Sequence, residues 1–440
     1  MSNIIKNINY LEERNSHFNF YYNFSKVLFL IFLFFIFFGT AIPFKEKVTV
    51  VEDISTSNIV NQIVFGILFI CSIIMLIYKR KTLSEFIKKE KFFTIFLFWS
   101  ITTVLWSNYP FVSFKRFILY LTTITVPLSV LLNTKNSSEL LKYFYYILGA
   151  YVLISILTIY TVPGALDRFG ILRGIAPHKN TLGQISLISL VIFTLYFFKT
   201  DSLKTKLFSL MYITISIVLL IGSKSSTALF VLFTILGIAA ITQIAKIFQS
   251  IGLRRTFSIF IIFSLVFLFL TILIVTPDRI EALVGGTGKD LTLTGRVDLW
   301  GDIWAEAQQH IVQGTGFRGY WVINSSRLEE IYKKYPWIPQ QAHNGYIDII
   351  NELGVIGAIL FILLLINYFA NIKKSAFDHP WVWLIIVTIM FNIAESTILS
   401  PRSSTGVMFI FAYIALFVDI IKSKNNDYQH FNSNTIISNS

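Results

Sequence analysis

Two histidines stand where apolar segments meet polar connections, and each could carry acid–base chemistry. His343, in QAHNGYIDIINELGVIG, has an imidazole that titrates near neutrality and could act as general base on a sugar hydroxyl, with Asn344 beside it. His178, followed by Lys179 in PHKNTLG, offers the same chemistry. A lone histidine is more often structural, but the position of His343 between a long loop and an apolar segment favours function.

Cations at similar positions form a second group. They are Arg296 in LTLTGRVDLW, Lys224 in GSKSST, Arg116 in WSNYPFVSFKRF, Arg402 after Pro401, and Arg318 in QGTGFRGYW. Arginine forks match phosphate oxygens, so convergent cations suit an anionic ligand, above all a diphosphate. The alternative for Lys224, Arg116 and Arg402 is an anchor in the lipid headgroups. Arg296 lies at a predicted helix start, where a cation is disfavoured, and this favours a role in binding.

One carboxylate belongs with this set, and metal-site patterns are missing from the sequence. Glu395, in the apolar string FNIAESTIL, must be paired or functional if it lies in the membrane. No Cys/His cluster has ligand spacing, and no Asp-x-Asp on the expected outer side could hold a divalent cation. A GxxxxGK[ST] loop is also missing. We therefore expect neither a metal nor another cofactor.

The elements that position these residues follow from composition. Hydrophobic residues make up 55% of the 440 residues and charged residues only 14%, with 43 Phe. In hydrocarbon every backbone N–H and C=O must be paired within the chain, which leaves helical bundles and closed barrels. Runs such as FSKVLFLIFLFFIFFGTAI are apolar all round, whereas barrel strands alternate. The sequence predicts an all-α, polytopic integral membrane protein, with its single Cys71 a buried apolar residue.

About 12 membrane-spanning helices are expected. They are placed near 27–44, 59–78, 92–106, 112–132, 140–162, 180–198, 206–222, 226–248, 256–275, 346–369, 380–398 and 403–421. The corresponding regions are a cytoplasmic N-terminus (1–26), spans 1–9 (27–275), a large periplasmic loop with short amphipathic helices (276–345), spans 10–12 (346–421) and a disordered cytoplasmic tail (422–440).

Lys and Arg are moderately enriched in the connections on the side that carries both termini. The positive-inside rule makes that side cytoplasmic and puts the large loop and the candidate residues outside. The formal charge of +13 could suggest nucleic-acid binding, but the basic residues are scattered among short connections, so no nucleic-acid partner is expected. Within the loop, a helix starting at Thr294 or Gly295 would place Trp300 and Trp304 on one face, with Ile303 alongside, at the membrane interface.

Several of these strings together resemble one family. WSNYPFVSFKR, GIAPHKNTLGQ, GSKSST, TGRVDLW, GTGF and HNGYIDIINELGVIG occur in its order over about residues 100–400. Each string is short and has little specificity by itself. By the order of these strings and the position of the one large loop, the sequence resembles the O-antigen ligase and Wzy-type polymerase superfamily of bacterial membrane glycosyltransferases, including its exopolysaccharide polymerases.

The resemblance implies a GT-C-like, metal-independent enzyme of the bacterial inner membrane with its active site facing the periplasm. Its donor would be a glycan linked to undecaprenyl diphosphate, and its acceptor another lipid-linked repeat or lipid A core, with membrane lipids and a chain-length regulator as further partners. His343 would be the base, Arg296 and Lys224 would hold the diphosphate, and Arg116 and Arg402 are weaker candidates. The family often has Arg where this chain has Lys224, which loses the bidentate fork. The PHKN string favours repeat polymerisation over ligation.

Two other functional classes remain open. A transporter or flippase for the lipid-linked oligosaccharide would need the same helices and cations, but it predicts polar residues at mid-depth and sites open to both faces. An assembly protein without chemistry explains the spans and leaves the outer cations unexplained.

Overall fold

The computed structural model describes residues 2–39, 59–162, 164–167, 170–250, 296–322, 325–335, 338–372, 379–401 and 403–438. Its α-helices are α1 Ser2–Phe37, α2 Ile59–Tyr78, α3 Arg80–Lys89, α4 Lys91–Thr102, α5 Pro110–Asn133, α6 Leu141–Thr161, α7 Lys179–Lys199, α8 Leu203–Gly222, α9 Ser226–Ser250, α10 Arg296–Ala307, α11 Ser326–Lys334, α12 Gly345–Asn371, α13 Pro380–Phe391 and α14 Ser404–Ser438. Short 3₁₀ turns cover Thr103–Trp106, Ser137–Leu140 and Gln308–His310.

The helices confirm an all-α polytopic membrane bundle. Within the described residues nine helices are long and apolar enough to cross a membrane, and Lys91–Trp106 and Pro380–Phe391 form two shorter apolar helices. These eleven correspond to eleven of the predicted spans, while the predicted span 256–275 lies outside the described residues. In the described part of the chain the extended structure is limited to a single bridge between Leu166 and Leu172.

Several helix boundaries differ from the prediction. α13 ends at Phe391, before the predicted limit at 398, because the chain turns at Asn392 and Glu395 then lies outside the helix. α14 continues past 421, the predicted end of the last span, to Ser438. Pro110 and Pro380 occupy the first turns of α5 and α13. Proline lacks an N–H, and N–H groups in the first turn have no partner inside the helix, so no hydrogen bond is lost.

α12 is interrupted near its start. Gly354 has φ +71°, so the helix breaks there, although the sequence predicts one continuous span. Residues 311–322, here called the docking segment, fill the break: Thr315 N–H donates to the carbonyl of Asn351 at 2.9 Å, and Val355 N–H donates to that of Ile311 at 2.8 Å. The indole of Trp99 donates to the carbonyl of Leu353 at 2.8 Å. Backbone groups freed by the break are thus paired inside the protein, as a low-dielectric environment requires.

The described part of the loop has a small core of its own. Leu299 and Ile303 of α10 are fully buried against Leu328 and Ile331 of α11 and Trp321 of the docking segment. Trp304 is 43% exposed, but the Trp300 indole donates to the carbonyl of Ala342 at 2.7 Å. Trp300 therefore does not face the membrane interface together with Trp304, because its indole is hydrogen-bonded within the loop.

Candidate active site

Glu395 is the centre of a polar cluster at the end of the bundle that carries the loop, called the loop end below. Its Oε2 lies 3.0 Å from Nδ1 of His343 and accepts a hydrogen bond from the Gln341 amide at 2.9 Å. Its Oε1 accepts from the Asn180 amide at 3.1 Å and lies 3.5 Å from the Arg296 guanidinium. The cluster joins the start of α7, the start of α10, the end of the loop and the turn after α13.

The environment of Glu395 favours its charged form. Its side chain is only 7% exposed, and this burial opposes ionisation. The hydrogen bond with His343, the Arg296 charge and the Asn180 amide outweigh burial and hold the pKa of Glu395 below its ordinary value. A carboxylate with such partners can fix the position of a neighbouring imidazole.

The backbone is anchored on both sides of His343. His343 has φ +51°, a conformation that non-glycine residues rarely adopt. On one side, the amide of Ala342 donates to Asp348 at 3.2 Å. On the other, Oδ1 of Asn344 accepts from the amides of Tyr346 and Ile347 and caps α12. Asn344 therefore has a positional role at the helix N-terminus.

The turn that carries Glu395 is fixed to the same place. Oδ1 of Asn392 accepts from the amides of Thr397 and Ile398, which closes the turn. The carbonyl of Asn392 accepts from the amide of Gly345 at 2.8 Å. A side chain at Gly345 would overlap the Asn392 amide group. The glycine thus lets the start of α12 approach the turn closely enough for His343 to contact Glu395.

The second histidine candidate belongs to the same cluster. His178 is the N-cap of α7, and its Nδ1 accepts from the backbone N–H of Asn180 at 3.2 Å. Burial lowers the pKa of His178, and the charge of Lys179 lowers it further, while Glu395 acts in the opposite direction. His178 is therefore neutral near pH 7. Lys179 occupies the first position of α7.

Lys224 is the exposed tip of the turn between α8 and α9. It has φ +47°, in a turn whose serines pack on α7: the Cβ of Ser225 lies 2.8 Å from the place that a Cβ would take at Gly183. Gly183 is one helical turn after Lys179, so the turn carrying Lys224 is held at the N-terminal end of α7. The structure thus brings Lys224 to the side of the bundle on which His178 and Lys179 lie.

The structure puts Arg116 and Arg318 elsewhere. Arg116 is 6% exposed, and its guanidinium donates to the backbone carbonyls of Arg318 and of Trp321, the latter at 3.0 Å. Arg318 is 7% exposed, and its amide donates to Glu352 at 3.0 Å. Both arginines are packed between α5, the docking segment and α12. Buried guanidinium groups need carbonyl or carboxylate partners, and these neighbours provide them. Arg402 lies outside the described residues.

Two buried carboxylates were missed in the sequence. Asp348 and Glu352 are 2% and 0% exposed, and Asp348 accepts from the Trp321 indole at 2.8 Å as well as from the Ala342 amide. They lie one helical turn apart, on the α12 face that begins at Asn344. Two acidic residues four positions apart inside a predicted span indicate carboxylates with polar partners, because an unpaired carboxylate is costly in a membrane.

The cluster combines a base, its orienting carboxylate and cations. A neutral His343 whose Nδ1–H donates to Glu395 carries its lone pair on Nε2, which can accept a proton from a hydroxyl. Glu395 faces the positive charge of Arg296, and Lys179 and Lys224 add two cations at the N-terminal end of α7, on the same side of the bundle. The arrangement can therefore deprotonate a hydroxyl beside an anionic group.

Comparisons with known proteins relate two stretches of the chain to proteins of envelope polysaccharide synthesis. A family model described as O-antigen ligase matches residues 210–362, from α8 to α12. That stretch contains Lys224, Arg296 and His343. The exopolysaccharide production protein ExoQ of Rhizobium meliloti (strain 1021) is 33% identical over 100 residues, 22% of this chain, and the match spans 23% of ExoQ.

The family match contains Arg296, Gln341 and His343, while His178, Asn180 and Glu395 lie outside residues 210–362. The architecture of apolar helices agrees with a multi-pass membrane protein. Over residues 210–362 the chain is therefore similar to the O-antigen ligase family, and over 100 residues it is similar to an exopolysaccharide production protein.

Proposed function

We propose that the protein is a glycosyltransferase of the bacterial inner membrane that transfers or polymerises undecaprenyl-diphosphate-linked glycan repeats on the periplasmic face. The observation that carries the proposal is the contact between His343 Nδ1 and the buried Glu395, with Arg296 on the other carboxylate oxygen. The match to the O-antigen ligase family supports the reaction class. The name of ExoQ, an exopolysaccharide production protein, supports polymer synthesis, and repeat polymerisation is favoured over ligation to lipid A core.

In the proposed reaction, Nε2 of His343 takes the proton of the acceptor hydroxyl as its oxygen attacks the anomeric carbon of the donor. The bond between that carbon and the diphosphate oxygen breaks, and the electron pair leaves with the diphosphate. Arg296, Lys179 and Lys224 stabilise the negative charge that grows on the leaving group, without a metal ion. Glu395 keeps Nδ1 protonated and stabilises the imidazolium that forms.

Glycan transfer from a purified lipid-diphosphate repeat, in detergent with EDTA, tests this function. We expect the wild type to give a ladder of products, and His343→Ala to lose about 10²–10⁴-fold in rate, because a general base is removed. His310→Ala is the matched control, since His310 is a loop histidine in the 3₁₀ turn after α10. Addition of a single glycan to lipid A core would instead indicate a ligase.

Two outcomes would contradict the proposal. A His343→Ala variant as active as His310→Ala would remove the assigned base. No product with either acceptor, together with protein-dependent movement of the donor across vesicles, would favour a flippase.

A further inference from the structure

A groove lies between the first turns of α2 and α5 at the loop end. Its cavity is about 370 Å³, within the range of small-molecule sites. Farther along the same two helices, the Ser72 hydroxyl donates to Thr125 at 2.8 Å. α2 and α5 therefore run side by side in the same direction, and the groove follows their axes.

The walls of the groove are mainly apolar. They are formed by Phe65, Phe69, Phe111, Phe114 and Leu119. Gly66 lies on the α2 side, and apart from its chain neighbours and the backbone of its own helix no described heavy atom lies within 4 Å of the place that its Cβ would take. The open position at Gly66 widens the groove, so a larger side chain there would fill it without overlapping its neighbours.

Most polar residues of the groove stand at one end, and Thr122 lies farther along α5. Asn61, Gln62 and Lys115 lie at the starts of the two helices, and Lys115 is exposed, with Nζ 5.6 Å from the centroid of the Phe111 ring. None of the described residues that line the groove is acidic. An apolar chain with an anionic head matches this distribution, because the head would meet Lys115 while the chain meets phenylalanine rings.

The groove also adjoins the segment that supports the candidate active site. Arg116, on its wall, donates to the carbonyl of Trp321. The Trp321 indole donates to Asp348, which accepts from the Ala342 amide next to His343. His178, Lys179 and Lys224 lie on α7 and the turn beside it, whereas the groove lies on α2 and α5. A reaction between two lipid-linked glycans needs separate places for two lipids.

We propose that the groove binds the tail of a polyprenyl lipid whose phosphate-bearing head pairs with Lys115, and that this lipid carries the second, acceptor glycan. The choice of a polyprenyl lipid rests on the proposed function and on the composition of the groove, which has apolar walls along two helices and a cation, Lys115, at one end.

Binding of undecaprenyl phosphate to the purified full-length protein, measured by native mass spectrometry from detergent, tests the inference. The variants are Gly66→Leu, which fills the groove, and Lys115→Ala, which removes its charge. Gly237→Leu is the matched control for the first, because no described atom lies within 4 Å of a Cβ at Gly237 on α9. Lys204→Ala, an exposed lysine at the start of α8, is the control for the second.

We expect the wild type and both controls to bind two molecules of undecaprenyl phosphate, and Gly66→Leu to weaken binding of one of the two at least about tenfold. Lys115→Ala should weaken binding of undecaprenyl phosphate about tenfold and leave binding of undecaprenol, which has no phosphate, unchanged. Because Lys115 is exposed, this variant tests the site even if Gly66→Leu fails to fold.

Equal binding by Gly66→Leu and Gly237→Leu would overturn the inference. Phosphatidylglycerol that displaces undecaprenyl phosphate with equal affinity would also overturn it and indicate a general phospholipid site. Binding requires no catalysis by His343, so groove-dependent binding by a protein without transferase activity would refute the proposed function alone. An active enzyme whose Gly66→Leu variant binds normally would refute the groove alone.

Discussion

At the scale of single residues, Glu395 contacts two groups with different proposed roles. One oxygen faces the imidazole of His343, and the other faces the guanidinium of Arg296. If Glu395 were neutral, both contacts would weaken, because each gains from the negative charge. Glu395 therefore links His343, the proposed base, to Arg296, which is proposed to bind the diphosphate.

The first prediction concerns this coupling. Glu395→Gln keeps the shape of the side chain but removes its charge, so the imidazolium that forms during transfer loses its counter-ion. We expect kcat for glycan transfer to fall at least about tenfold, with a smaller change in KM. Glu330→Gln is the control, because Glu330 is exposed on α11. An unchanged kcat in Glu395→Gln would contradict the role given to this carboxylate.

The second prediction concerns pH and stability. The pKa of Glu395 in the folded protein lies below the ordinary value of 4.5, so its ionised form stabilises the fold. That contribution is complete above pH 4.5 and is lost as the pH falls through the lowered pKa. We expect the wild-type Tm in detergent to fall more steeply on acidification below this value than the Tm of Glu395→Gln, by roughly 2 °C or more. Parallel curves would show that the carboxylate does not contribute.

Sequence reasoning found the titratable members of the cluster but not its neutral ones. His343, Arg296 and Glu395 stand out because charged or titratable groups are rare beside apolar segments. Gln341 and Asn180 donate to Glu395, yet uncharged amides occur in many surface loops. Arg116 has the same sequence signal as Arg296, and only the packing of the docking segment reveals that it is buried.

At the scale of elements, the break in α12 depends on one backbone conformation. Gly354 has φ +71°, and a Cβ there would lie too close to the carbonyl oxygen of Val312. The sequence could predict the helix from its apolar run, but not the break, because Gly354 stands in a string, NELGVIGAIL, that is otherwise typical of a continuous span.

The third prediction follows from this geometry. Gly354→Ala should destabilise the protein by at least about 2 kcal/mol, because it adds left-handed strain and displaces the docking segment. Gly237→Ala, at an open helical position, should leave the Tm unchanged or slightly raised. The measurement is thermal unfolding in detergent, followed by tryptophan fluorescence. Equal Tm values for the two variants would show that the docking segment does not depend on the break.

At the scale of the whole molecule, the helix bundle could be predicted from the hydrophobic composition and from runs that are apolar on all sides. The order of the spans could be predicted as well, because each run is bounded by polar connections. The contact between residues 311–322 and the break in α12 could not be predicted, since it is made by backbone hydrogen bonds, whose partners a side-chain pattern does not reveal. Part of the loop is therefore packed into the helix bundle, which its sequence does not predict.

The fourth prediction tests the orientation of the bundle. The single Cys71 can be replaced by Ser, and one cysteine introduced at a time: Gln309→Cys at the loop end, or Lys204→Cys at the start of α8. We expect a membrane-impermeant maleimide to label Gln309→Cys in intact spheroplasts, and Lys204→Cys only after the membrane is opened, because the loop is proposed to face the periplasm. The reverse pattern would invert the topology.

The break in α12 also has a consequence for biogenesis. A continuous helix can enter the bilayer with all its backbone hydrogen bonds made, but α12 has groups at Asn351, Leu353 and Val355 whose partners lie in the docking segment and on α4. Those partners are synthesised before α12 leaves the ribosome. The docking segment therefore emerges before the backbone groups that it pairs with, and α12 can complete its hydrogen bonds only after the two segments have met.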